Sequence, residues 1–289
     1  MKKTFLILFV ILQLFYFGCG DPIVDITEVE YKPKIAVEAY LYPGKDIDNI
    51  KIMRNFPINK KIDEEQIYLT PSNNFVVAKI NSNVLQFDNT NKTYYYNPLK
   101  VEFGKTYTIE IEATFDGKKF QTYSTTTVPD SGFKLQDKDL GTIKYNTQDI
   151  IIKFNPSPST DFYIFSIIAD SASPNNFIYD NPFIPNLSKE DVEKNFNNFL
   201  YQYRYLQNIL PDPNKTYELK VEVYDAWFYG PYRVIVYACD QNFKDYFLSN
   251  QFLQQFDGNF NEPRKIMQND GIGIFGSAIV DTVRFTIIP

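Results

Sequence analysis

The stretch Thr106-Tyr107-Thr108-Ile109-Glu110-Ile111-Glu112-Ala113-Thr114-Phe115-Asp116-Gly117, continued by Lys118 to Val128, decides the fold class. Tyr107, Ile109 and Ile111 fall on one side of an extended chain, and Thr108, Glu110 and Glu112 on the other. That period of two marks a strand with one apolar face. Asp116-Gly117 supplies a type I′ turn, whose central residues both need positive φ. The return arm, Lys118 to Val128, is rich in Thr and aromatic residues, which suit a pleated surface.

Upstream the same grammar repeats. Ile35, Val37, Ala39 and Leu41 alternate with Ala36, Glu38 and Tyr40. Pro43-Gly44 turns the chain, Ile50 and Ile52 flank Lys51, and Phe75 to Ile80 is a further strand. Short strands separated by turn signals predict an immunoglobulin-like β-sandwich over residues 34–129. Pro129-Asp130-Ser131-Gly132 reads as a linker.

Downstream, residues 133–289 form a β-rich domain with two helical insertions, so the fold class is mainly β. Its strands are expected at Asp149 to Phe154, Phe162 to Ile168, Tyr217 to Tyr224, Tyr232 to Cys239 and Val280 to Ile288. One helix is expected near 188–207. Ser188 is its N-cap, Asp191 the capping-box partner, and Leu187 and Val192 the hydrophobic staple. Val192, Phe196, Phe199, Leu200, Tyr203 and Leu206 then follow one helical face. A second helix is expected over 240–256, carrying Phe243, Phe247 and Phe256.

Gly271-Ile272-Gly273-Ile274-Phe275-Gly276 matches the letters of a nucleotide fingerprint. The fingerprint requires a strand before it and a helix after it, with phosphate at the helix N-terminus. Here a β-branched strand follows, so the glycines are expected to permit a bulge or close backbone packing. Asp225-Ala226-Trp227-Phe228-Tyr229-Gly230-Pro231 joins two strands and holds the sole tryptophan. Trp227, Phe228 and Tyr229 are candidate binding residues if exposed. The structural alternative is a loop folded back over the sandwich core.

The chain of 289 residues contains no histidine, and its formal net charge is −6. Without histidine there is no Ser-His-Asp or Cys-His catalysis and no His-ligated zinc. The negative charge and lack of a Lys/Arg cluster argue against a nucleic-acid partner. Carboxylates are numerous but unpaired in spacing. Glu110 and Glu112 suit an exposed strand face, Asp161, Asp170 and Asp180 imply no pair, and Asp212 lies in a turn. No catalytic residue, metal ligand or cofactor is expected.

The first residues give an address. Lys2 and Lys3 precede an apolar run from Phe5 to Phe17, and Gly18-Cys19 follows. Basic start, apolar middle and small residue before a cut describe a secretory signal over 1–18. The run is shorter than the roughly 18–20 residues that span a bilayer as a helix. A small residue before cysteine resembles the bacterial lipobox, although Tyr16 and Phe17 stand where that pattern has Leu and a small residue. Cys19 is therefore the expected lipid site, followed by an acidic tether over 19–33. With Cys19 so used, Cys239 lacks a disulfide partner and reads as a small buried hydrophobe.

Tyr31 to Leu41, Gly104 to Ile111, and Asn261-Glu262-Pro263 with Asp270 to Gly276 together resemble the domain-of-unknown-function 4249 family. The resemblance implies an envelope lipoprotein of Bacteroidota-type bacteria, often encoded beside a TonB-dependent outer-membrane receptor. It carries no catalytic residues and implies a structural role for the glycines. The expected protein is a lipid-anchored outer-membrane binding or accessory module, not an enzyme, partnering a TonB-dependent transporter in nutrient uptake. Two other readings stand beside it: a carboxylate-dependent hydrolase of glycans, and a structural or adhesive surface protein.

Overall fold

In a computed structural model the chain is described over residues 31–57, 60–184, 186–212, 214–250 and 264–289. Cys19, the signal sequence, residues 251–256 of the expected second helix, and Asn261 to Pro263 lie outside the described residues.

The chain opens with β1 (Ile35–Leu41), β2 (Asp46–Arg54) and a one-turn helix α1 (Glu64–Ile67). Then come β3 (Phe75–Ile80), β4 (Asn83–Val84), β5 (Gln86–Asp88), β6 (Thr93–Lys100), β7 (Thr106–Phe115) and β8 (Lys118–Thr127). β1-β2-β6-β5 form one sheet path and β4-β3-β7-β8 the facing sheet. Lettered in chain order, these are A-B-E-D against C′-C-F-G, the immunoglobulin arrangement. The alternation read from sequence is present: Ile35, Val37, Ala39 and Leu41 are buried while Ala36, Glu38 and Tyr40 are not. Asp116 and Gly117 have φ of 51° and 72°, as a type I′ turn requires. Tyr107 at the start of β7 accepts a hydrogen bond on Oη from Glu102 N at 3.0 Å. This is the tyrosine corner that pins the E–F crossing of such sandwiches.

The second half has the same plan. It contains β9 (Lys134–Leu135), β10 (Asp139–Lys144), β11 (Ile150–Asn155), β12 (Phe162–Ala169), helix α2 (Lys189–Lys194) and β13 (Tyr201–Leu206). β14 (Tyr217–Val221), β15 (Gly230–Cys239), helix α3 (Gln241–Asn250) and β16 (Gly271–Ile288) complete it. β9-β11-β14 is A-B-E, and β13-β12-β15-β16 is C′-C-F-G with β10 running parallel to β16. A second tyrosine corner repeats at the start of β15, where Tyr232 Oη accepts from Phe228 N at 2.9 Å. The β-rich domain is thus itself an immunoglobulin-like sandwich, with one insertion between C and C′ and another between F and G.

The helix expected over 188–207 is corrected. Ser188 does cap α2 through a reciprocal capping box with Asp191, but the helix ends at Lys194. Phe196–Phe199 make one 3₁₀ turn, and Tyr201–Leu206 is strand β13. Tyr201, Tyr203 and Tyr205 also fit a period of two. The ladder with β12, from Tyr163↔Leu206 to Ile168↔Tyr201, decides between the two periods. Phe196 and Phe199 still pack on the second core. Helix α3 begins after Asp240, as expected, and lays Phe243 and Phe247 over the outer face of the second sandwich.

The boundary at residue 133 also needs correction at its far end. β16 is 18 residues long. Its second half pairs with β15, but Gly271 to Ser277 pair in parallel with Ile35 to Leu41 of β1. Met267 and Phe275 are buried in the first sandwich's core. Just before β16, the chain also bonds along β8, with Gln268 N to Tyr123 O at 2.9 Å and Asp270 N to Gln121 O at 3.1 Å. The C-terminal segment therefore belongs to both sandwiches.

Candidate functional site

The glycines of Gly271 to Gly276 make the shared strand possible. Gly273 has φ of 98°, and a Cβ there would lie 2.1 Å from Val37 O. A Cβ on Gly271 would meet Thr122 Oγ1 at 2.0 Å, and one on Gly276 would press against Asp240 Oδ1 at 3.3 Å. Close backbone approach explains the motif, and no helix follows it, so the nucleotide reading has no support.

Above this strand pairing lies a cavity of about 530 Å³. Ala36, Glu38 and Tyr40 of β1, Met53 of β2 and Ile272 of β16 contribute from the sheet. Tyr246 and Asn250 of α3 and the segment Arg264 to Met267 line the rest. Helix α3 is held over the sheet by Phe243, whose ring lies 5.0 Å from that of Tyr40. Glu38 is bridged by Lys51 at 3.3 Å, and Arg264 pairs with Asp245. Burial, then the nearby Glu38 carboxylate, pushes the Tyr40 phenol up, so it stays a neutral hydrogen-bonding group. A roofed, mainly apolar hollow with a few polar groups is the usual form of a small-molecule site.

The sequence motifs bracket this cavity without naming it. Lys34 to Tyr40 of the first motif and Gly271 to Gly273 of the last border it, and Ile35 to Tyr40 pair with Gly271 to Gly276. Met53, Tyr246, Lys265 and the charged rim were missed. They come from separate segments, and no spacing in the chain relates them.

The candidate residues Trp227, Phe228 and Tyr229 lie elsewhere, at the E–F crossing of the second sandwich. Phe228 is buried, and Trp227 and Tyr229 are half-buried. Phe177 stacks on Trp227 with centroids 6.4 Å apart, and Phe199 meets the same indole edge-on at 5.6 Å. The C–C′ insertion ties the loop down: Ile178 N donates to Trp227 O at 2.9 Å, and Tyr229 N to Asn176 O at 2.8 Å. The loop packs over the core of the second sandwich, with Trp227 and Tyr229 left partly exposed.

Carboxylates offer little chemistry. Burial raises the Asp225 carboxyl against the opposing pull of Arg204, 2.6 Å away. Burial also raises Asp240, at the end of β15, while its hydrogen bonds oppose. Neither lines the cavity. Glu112 on the first sandwich's outer face is held by Lys119 at 2.7 Å and Gln121 at 2.8 Å. Asp161 pairs with Lys244 at 2.8 Å and Asp170 with Arg233 at 3.0 Å. Among the described residues no group of His, Cys, Asp and Glu is arranged to hold a metal ion. Among them, too, no helix is long and apolar enough to cross a membrane. Cys239 is buried, and burial pushes its thiol up, so it is a poor nucleophile.

No curated protein matches the chain. Solved structures share only a distant likeness. A titin A168–A169 fragment is 9% identical, with 90% of this chain and 98% of that one covered at a TM-score of 0.23. Alpha-2-macroglobulin of E. coli is 10% identical, with 90% and 14% covered and a TM-score of 0.25. A SusE-like surface-located polysaccharide-binding protein from the Bacteroides thetaiotaomicron heparin utilisation locus is 10% identical, with 90% and 35% covered and a TM-score of 0.22. At these TM-scores the likenesses carry no argument, and the assignment of both sandwiches rests on strand order. The family comparison is firmer. The profile of the domain of unknown function DUF4249 matches residues 21–284, nearly the whole chain, and the chain belongs to that family.

Proposed function

We propose that this is a lipid-anchored outer-membrane protein whose two sandwiches form a non-enzymatic binding or accessory module, partnering a TonB-dependent transporter in nutrient uptake. The observation that carries the reading is the shared strand β16, which unites the sandwiches and leaves a roofed cavity at their junction. A binding module needs a pre-formed surface on a stiff frame. Non-enzymatic action is supported by where the raised carboxylates sit: Asp225 faces Arg204, and Asp240 is enclosed in backbone and hydroxyl donors. The anchor rests on Gly18-Cys19 behind an apolar run, since acyl chains on one cysteine hold a protein at a bilayer.

Fractionation of cells expressing the tagged full chain tests the address. The wild type is expected with the outer membrane and Cys19→Ala in the soluble periplasm. Membrane association of Cys19→Ala would remove the anchor from the reading. Affinity capture of the wild type in mild detergent is expected to recover a TonB-dependent receptor. Repeated recovery of no envelope protein would remove the partner.

A further inference from the structure

We propose that the junction cavity binds a small amphipathic acid: an apolar chain or ring bearing one carboxylate. The inference deepens the binding-module reading and rests on it.

The cavity's body favours apolar matter. Ala36, Met53 and Ile272 present hydrocarbon and thioether surface, and the Tyr40 and Tyr246 rings add apolar area. Its volume, about 530 Å³, suits a molecule of drug or fatty-acid size.

Its charge favours an anion. The chain as a whole carries −6, yet among the described residues the lining holds Lys34, Arg264 and Lys265 against one carboxylate, Glu38. Glu38 is already bridged by Lys51, and Arg264 by Asp245. Among the described residues, the Lys34 and Lys265 ammonium groups have no carboxylate partner. The Lys34 backbone is fixed, its N–H donating to Asn55 Oδ1 at 2.7 Å. Two lysines beside an apolar hollow, neither ion-paired among the described residues, complement one carboxylate on an apolar body.

The test is fluorescence titration of the full chain with 11-(dansylamino)undecanoic acid, and with its methyl ester as the neutral control. The acid is expected to bind saturably at one site with a blue-shifted emission. The ester is expected to bind about tenfold more weakly, the scale of one charge-assisted contact. The double variant Lys34→Gln/Lys265→Gln, both positions outside the cores, should bring the acid down to the ester's affinity while leaving the circular dichroism spectrum unchanged. Ile272→Glu, at an exposed position, should weaken both probes. Absence of saturable acid binding overturns the proposal, as do equal affinities for acid and ester or an undiminished affinity in the lysine variant. If the acid fails while the wild type still captures a receptor, the ligand class alone falls. If capture and anchoring fail while the acid binds, the transport reading falls and the cavity assignment stands.

Discussion

Asp240 and Ser277 hold each other from both ends: Ser277 N donates to Asp240 Oδ1 at 3.1 Å, and Asp240 N donates to Ser277 O at 2.9 Å. The pair joins the end of β15 to the point where β16 passes from one sandwich to the other. Asp240 Oδ1 also accepts from Phe243 N at 2.9 Å, capping α3. Its Oδ2 accepts from the Thr126 hydroxyl of β8, and Thr126 and Ser277 share a further hydroxyl contact at 2.9 Å. One buried carboxylate thus gathers the first sandwich, the second sandwich and the helix that roofs the cavity.

Replacing Asp240 tests that arrangement. Asp240→Ala removes an N-cap and strands buried donors, a loss of about 3 kcal/mol. Asp240→Asn keeps the Oδ1 acceptor and offers Thr126 an amide donor, so it should cost less than about 1 kcal/mol. The two differ in pH dependence as well. Burial raises the folded-state pKa of Asp240 above its unfolded value, so between those values the folded state binds more protons. Its contribution to stability is therefore full below the unfolded pKa and is lost as pH rises through the folded one. Other carboxylates, such as Asp116 beside Arg54, are shifted downward and act in the opposite sense. Urea midpoints of wild type minus Asp240→Asn should isolate the Asp240 slope; a flat difference across the acid range would contradict it.

Gly273→Ala is expected to be the most damaging single methyl in the chain's glycine-rich strand. The left-handed backbone strains alanine, and the new Cβ would lie 2.1 Å from Val37 O. A loss above about 3 kcal/mol follows from strain plus a broken parallel ladder. Gly44 provides the comparison, since it has φ of 80° and a Cβ there would meet nothing within 4 Å. Gly44→Ala should lose only about 1 kcal/mol. Thermal melts of both variants distinguish crowding from backbone preference.

Tyrosine hydroxyls should divide into two classes. Tyr107→Phe and Tyr232→Phe each delete a corner bond to backbone, at a cost of about 1–2 kcal/mol. Tyr145 is buried too, but its hydroxyl has no protein partner among the described residues. It stands edge-on to Tyr224 and Tyr229 at 5.7 and 5.9 Å. Tyr145→Phe keeps those ring contacts and removes an unsatisfied polar atom, so its melting temperature should equal or exceed the wild type's. A clear drop would show that the hydroxyl is satisfied after all.

The local grammar of this fold is legible in the residues that alternate or turn. Ile35 to Leu41, the Asp116-Gly117 turn and the Ser188/Asp191 box all depend on neighbours in sequence. Tyr201 to Leu206 is not legible, because its aromatic residues satisfy a helical and an extended period equally until β12 offers a ladder. The double allegiance of β16 is hidden for a similar reason. Nothing near Gly271 in sequence announces a parallel partner more than two hundred residues away, although the crowding at Gly273 is its physical trace. The cavity inherits that invisibility, since its walls meet only after the distant strands pair. Trp227 has the look of an exposed residue in sequence, being a lone tryptophan in a Gly/Pro turn; the C–C′ insertion that covers it shows no pattern pointing to this loop.

Trp227 reports whether the shared strand makes the two sandwiches unfold together. It is the sole tryptophan, and its indole packs against Phe177 and Phe199 in the second sandwich. Its emission therefore follows that sandwich, whereas far-UV circular dichroism follows both. β16 contributes ten ladder positions to β15 and seven to β1, so the first sandwich cannot open without releasing half of a strand that the second retains. Urea transitions by the two probes should coincide, as a cooperative unit requires. Tyr107→Phe lies wholly in the first sandwich, yet it should lower the midpoint seen by Trp227 fluorescence. In Gly273→Ala, where the β1 ladder is broken, the two transitions should separate, with Trp227 the later to respond. An unmoved Trp227 midpoint in Tyr107→Phe would mean that the ladder to β1 transmits no stability, and that the sandwiches behave as independent domains despite the strand they share.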